Sequence, residues 1–263
     1  MIHFESMSAS LDMAATSALS QVCFSALVIG LSLLFVVGVA RVARAQVGST
    51  SEVKRQTLLA AVGMVALLLI SALAARSGLL ASWAGKPQLG IYPLASGVLV
   101  IALAFSRLGK GFAQHLPIAA LVGFQAFRLP LELILHRWYQ EGAVPVQMTF
   151  VGDNYDIVSG ILALIVGSLV HWGRAGYRAI LLFNVVATSF LFAVIRVALL
   201  SSPVPFRSYT NEPTLLVALY VPYTWIIPIC VGGALFGHLV VFRYLWLNRT
   251  MLTARALAAA NRS

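Results

Sequence analysis

Residues Val22–Ala40 read VCFSALVIGLSLLFVVGVA, 19 residues without a charge, and then meet Arg41 and Arg44. A helix needs roughly 20 apolar residues to cross a hydrocarbon core of about 30 Å. The stretch is therefore a span, and a basic anchor ends it. Working outward, six more runs repeat the pattern at 57–75, 89–105, 116–135, 155–170, 179–200 and 215–235. Only helices or closed barrels satisfy their backbone groups in lipid, and runs this continuous do not alternate as barrel strands do. The expectation is an all-α, polytopic transmembrane helical bundle of about seven helices in one domain, residues 1–263. Of the whole chain, 60% is apolar and only 10% charged, which no soluble domain of this length could solvate.

The formal charge of +10 is explained by its distribution. Arg41, Arg44, Lys54, Arg55, Arg107, Lys110, Arg174, Arg178, Arg243, Arg249, Arg255 and Arg262 all fall on one side of the bundle, 12 of the 18 basic residues. Short basic connections stay in the cytoplasm, so the amino terminus is expected outside and the carboxyl terminus inside. Residues 241–263 then form a basic cytoplasmic tail. Nucleic acid is not needed to account for the charge, and the lipid bilayer is the expected partner. No Lys or Arg precedes the first run, so it reads as an uncleaved helix rather than a secretory signal. Cys23 and Cys230 belong at different depths, and no disulfide between them is expected. Trp83, Tyr92, Trp138, Tyr139 and Tyr155 are expected near the outer interface, and Trp172, Tyr177, Tyr244 and Trp246 near the inner one.

Polar anomalies concentrate in the second half. Gln125, Arg128, Glu132 and His136 are spaced three, four and four residues apart and share one face of the fourth helix. Pro130 is expected to kink that helix between its two charges. Asn154 and Asp156 stand at the outer start of the fifth helix, where Asp153 or Asn154 can cap it. Arg196 lies in the outer half of the sixth helix, and Tyr223 opens the seventh beside Pro222 and Pro228. Ions in a membrane interior are costly and face the bundle or an aqueous cavity. Glu132 is the nearest partner for Arg128, and Asp156, Glu132 or an external anion for Arg196.

Two readings of this cluster follow. One is a periplasm-facing site that binds or transports a small anionic or zwitterionic ligand. The other is an ion-pair network that fixes how the helices assemble, as in a scaffold for a membrane complex. An intramembrane enzyme using Glu132 and His136 is a further alternative, although serine-hydrolase and zinc-protease signatures are absent. No metal is expected, because two arginines oppose a cation at the site. No cofactor is expected either: His171 and His238 could face a haem iron, but no spacing motif supports it. Transport would need a polar path toward the inside, for which Asn184, Thr188 and Ser189 are the hints.

The segments Phe127–Glu132, Gln147–Ile157, Ser202–Pro205 and Pro222–Pro228 resemble an uncharacterised family of small polytopic bacterial inner-membrane proteins. The resemblance runs from the fourth helix onward. It implies an acid where Val151 stands and a basic residue where Asp153 stands, so the shared pattern rests on Arg128, Glu132, Asn154 and Asp156. It implies a multi-pass location in the inner membrane and no established chemistry.

Overall fold

The computed structural model describes residues 16–46 and 49–249. The described chain is an all-α polytopic bundle. Helix α1 is Ala18–Gln46 and α2 is Thr50–Arg76. A one-turn helix, Leu79–Ser82, and a 3-10 turn, Pro87–Gly90, lead into α3, Ile91–Phe105. The short α4 is Arg107–His115. The fourth span is composite: α5 (Ile118–Gly123), a 3-10 turn (Phe124–Phe127) and α6 (Arg128–Gln140). Helix α7 is Asp156–His171 and α8 is Tyr177–Ser201. The last span opens with a 3-10 turn, Tyr223–Ile226, passes through a π turn, Ile227–Val231, and continues as α9, Gly232–Leu247.

Six of these spans are long and apolar enough to cross a membrane, while α7 is shorter at 16 residues. The sequence places all seven, but its boundaries fall short in four, the fourth span running on from 135 to Gln140. The first two helices run past their apolar runs because charged residues remain good helix formers once outside hydrocarbon. Ser49 accepts a hydrogen bond from the Glu52 amide at 3.4 Å, so α2 starts at a cap and not at the edge of the greasy run. The last span is expected at 215–235 and is found at Tyr223–Leu247. Pro213 and Pro222 break up the apolar residues before Tyr223, and helix continues through His238 and Arg243. Of the tail expected at 241–263, residues 241–247 are the end of this helix, and 250–263 lie outside the described residues.

The core forms a smaller cluster of Ala75, Leu80, Leu89, Val204 and Leu219, and two main layers. Phe24, Val28, Phe127, Leu131, Leu135 and Trp138 belong to one, and Val42, Phe112, Val122, Ala163, Ala187 and Val240 to the other. Residues 123–126 of the fourth span pass between them. Trp138 is fully buried, edge-on to Phe24 at 5.0 Å and to Tyr223 at 4.9 Å. Tyr223 in turn pairs with the Thr16 hydroxyl. Tyr155, Trp172 and Trp246 are exposed, as an interfacial belt requires. Large apolar side chains such as Leu19, Leu58, Leu73 and Leu94 stand more than 60% exposed along the outside, which makes lipid their solvent. At the opposite end of the bundle Arg243 donates to the carbonyls of Ala104 and Ser106 at 2.7 and 2.8 Å, capping α3.

Candidate functional site

Three features of the backbone deliver polar groups to the boundary between the two core layers. The first is the break in the fourth span. Pro130 has no amide hydrogen, and it is tolerated because a new helical segment begins at Arg128 and puts Pro130 in its first turn. The expected kink thus lies just before the charges, as the Phe124–Phe127 3-10 turn. The second is the connection before α7. Ala143, Val144, Gln147, Met148, Thr149 and Asn154 are all buried, so the chain folds back into the protein before the helix starts. Irregular backbone is tolerated at depth when protein covers it. The third is the opening of the last span, where Pro228 cannot bond the Thr224 carbonyl and Tyr92 Oη donates to it instead at 3.0 Å.

Arg128 is the hub. Its Nη1 donates to Asp156 Oδ1 at 2.5 Å and to the Ala187 carbonyl at 3.1 Å. Its Nη2 meets His238 Nε2 at 3.0 Å. Arginine can only donate, so His238 Nε2 accepts and Nδ1 holds the imidazole proton. Asn184 Oδ1 lies 2.7 Å from that nitrogen, and Asn184 Nδ2 donates to the His238 carbonyl at 3.1 Å. On the other side, Asn154 Oδ1, one residue before the N-cap position at Tyr155, accepts from the Asp156 amide that opens α7 at 3.0 Å. Asn154 Nδ2 donates to Glu132 Oε2 at 2.8 Å and to the Met148 carbonyl at 3.0 Å. A continuous polar chain therefore runs Glu132, Asn154, Asp156, Arg128, His238, Asn184, through α6, α7, α8 and α9. All six residues are buried.

The sequence-derived set divides. Arg128, Glu132, Asn154 and Asp156 come together. Gln125, also buried, bonds elsewhere, donating from Nε2 to the Ala234 carbonyl at 3.0 Å. Three other residues do not join. Arg196 is exposed on α8. Its charge acts instead on Tyr209, whose hydroxyl donates to Asp153 Oδ2 at 2.8 Å. That hydrogen bond raises the Tyr209 hydroxyl above its ordinary value, and Arg196 works against the rise. Asp156, expected as a partner for Arg196, is taken by Arg128, and Glu132, expected to bond Arg128, is held by Asn154. His136 is half-buried against Phe150, with ring centroids 4.6 Å apart, and contacts Gln140. Tyr223 belongs to the aromatic group with Phe24 and Trp138.

His238 is the residue that sequence reasoning leaves out of the cluster. With the last helix ended at 235, it falls in the inner connection; with the helix continued to Leu247, it lies nine residues inside. A lone histidine in an otherwise apolar mid-helix window was the available signal. Comparison with protein-family models, curated proteins and solved structures finds no match to this chain. The chemistry must be read from the site. One guanidinium faces two carboxyl groups, and among the described residues no three His, Cys, Asp or Glu side chains converge as a metal ligand set.

Proposed function

We propose that this is a multi-pass protein of the bacterial inner membrane, its amino terminus on the periplasmic side, that binds or transports a small zwitterionic ligand at Arg128. The observation that carries the reading is the convergence of interrupted spans on one buried guanidinium. A 3-10 turn, a recessed helix start and a π turn each interrupt a span of the bundle that holds it. Simple helix packing needs none of these, and apolar residues of similar volume would hold the helices together as well or better. Discontinuous helices around buried ions are the arrangement from which midplane substrate sites are built. The continuation of the polar chain to His238 and Asn184 supports the reading, since transport requires polar groups beyond the binding residues.

Charge balance selects the ligand class. With Arg196 elsewhere, a purely anionic ligand would confront two carboxyl groups with a single compensating cation. A zwitterion offers its acid to Arg128 and its ammonium to Asp156, and with Glu132 holding its proton no ion is left uncompensated. The Arg128–Asp156 pair closes the site in this conformation, so entry of ligand would exchange Asp156 for the ligand's acid. Glu132 and His136 face different partners, which leaves the enzymatic alternative without support. The resemblance to bacterial inner-membrane proteins from the fourth helix onward belongs to the same proposal.

Closure of the pair favours a second reading, a static lock that fixes the helices of a scaffold. Access separates the two. Single cysteines at Ser159 and Ala187, in a chain with Cys23 and Cys230 replaced by Ser and Ala, are exposed to a membrane-impermeant thiol reagent from either side. A transporter labels from the outside at Ser159 and from the inside at Ala187 in a fraction of molecules. Protection of both positions from both sides establishes the lock and ends the transport reading.

A further inference from the structure

A second site lies away from the polar centre. A groove of about 700 Å³ runs along the side of the bundle, walled by α1 and α2 on one flank and by α3 and α9 on the other. Its volume is in the range of pockets that hold a small ligand or chain. Leu34, Leu59 and Leu99 form its walls and are exposed, and Phe236 lies at its base. The groove exists because α2 leans on α1 and on the Tyr223–Ile226 turn, where Trp225 Nε1 donates to the Leu68 carbonyl at 2.9 Å. Its two serines add no polarity: Ser32 and Ser96 donate to the carbonyls of Val28 and Tyr92 on their own helices.

One end differs. Arg41 and Gln56 stand where α1 leaves and α2 enters, each seven residues from the middle of the groove at Leu34 and Gly63. Gln56 bonds Glu52, and Glu52 is already paired with Arg55 at 2.8 Å. Arg41 is exposed and has no hydrogen bond or ion pair to another described residue. A long apolar channel ending at an unpaired guanidinium is complementary to an amphiphile with an apolar chain and a negative head.

We infer that this groove is a binding site for an anionic phospholipid of the surrounding bilayer, an acyl chain lying between α2 and α3 and the phosphate on Arg41. The site goes beyond the proposed transport role and shares no residue with it. Gly63 supplies the test, because a Cβ placed there meets nothing within 4 Å and a larger side chain would project into open groove. The protein is purified in a non-ionic detergent and offered phosphatidylglycerol and phosphatidylcholine of matched chains. Retained lipid is then counted by native mass spectrometry. The native chain retains the anionic lipid about fivefold better, the worth of one arginine near a headgroup. Gly63→Phe loses both lipids, Arg41→Gln keeps binding but loses the preference, and Lys54→Gln behaves as the native chain. Leu99→Trp, from the opposite wall, serves if Gly63→Phe does not fold. Equal retention of the two lipids by the native chain, or native retention by the filled groove, overturns the inference. So does a dimer that Gly63→Phe separates, since the groove would then be an interface between copies.

Discussion

Arg128 shows why a buried ion must be judged together with its partners. Replacing it by Met leaves Asp156 without its cation in the interior, and such a loss costs about 3–5 kcal/mol. Arg128→Met combined with Asp156→Leu removes both charges, and most of that stability is expected to return. Thermal unfolding in detergent measures the difference, and a double variant no better than the single one would show that the pair is not the stabilising unit. Glu141, just past α6, supplies a pH-dependent counterpart. It accepts from the Ser17 amide and hydroxyl at 3.2 and 2.7 Å, from Ser20 at 3.0 Å and from Arg137 at 2.8 Å, tying the start of α1 to the end of the fourth span. Partial burial works to raise this carboxyl, and the bonds from Ser17 and Ser20 outweigh it, so the group lies below its ordinary value. The tie is complete above the ordinary carboxylate range and fades as pH falls through the lowered value. The native melting temperature should therefore drop more than that of Glu141→Gln as pH is taken from neutral toward about 3.

At the scale of elements, close helix approach holds the centre in register. A Cβ on Gly160 would lie 2.8 Å from both the amide nitrogen and Cγ of Leu129, so α7 touches α6 through the missing side chain. Gly160→Ala is expected to push α7 off Arg128 and cost about 1–3 kcal/mol. Gly30→Ala, whose added atom meets nothing within 4 Å, is expected to leave the melting temperature unchanged or raise it. Equal effects at the two positions would remove the packing argument. This contrast was hidden in the sequence, where Gly30 and Gly160 look alike. What was legible was the existence of each span, because a run of uncharged residues is a property of the run itself. The start of α2 and the opening of the last span were not, since a serine cap and two prolines decide them. The 3-10 and π turns were foreshadowed by Pro130 and Pro228, and only their exact offset needed the coordinates.

For the whole molecule, helix spacing gathered Arg128 and Glu132, and the fifth-helix start added Asn154 and Asp156. Pairing across helices was beyond it. Arg196 was placed by depth alone, and depth does not say which way a side chain rotates around its helix. His238 was lost to a misplaced boundary. Orientation rests on the basic loops and can be tested separately: cysteines at Lys86 and Arg137 should react with an impermeant reagent from the periplasm, and one at Arg174 only once the membrane is opened. The reverse result would invert every statement about sides. The recessed start of α7 has a consequence for how the protein is made. Asn154 meets Glu132, eight residues before the end of α6, so the helix begins about 12 Å short of its neighbour's carboxyl-terminal end. Sixteen residues reach only about 24 Å, with an aspartate leading. During synthesis such a segment should gain little by entering lipid alone, and its insertion should depend on Arg128 of the preceding span, which has already been made. A reporter fused after Gly173 should therefore give a single sidedness in the native chain and a mixed one in Arg128→Met.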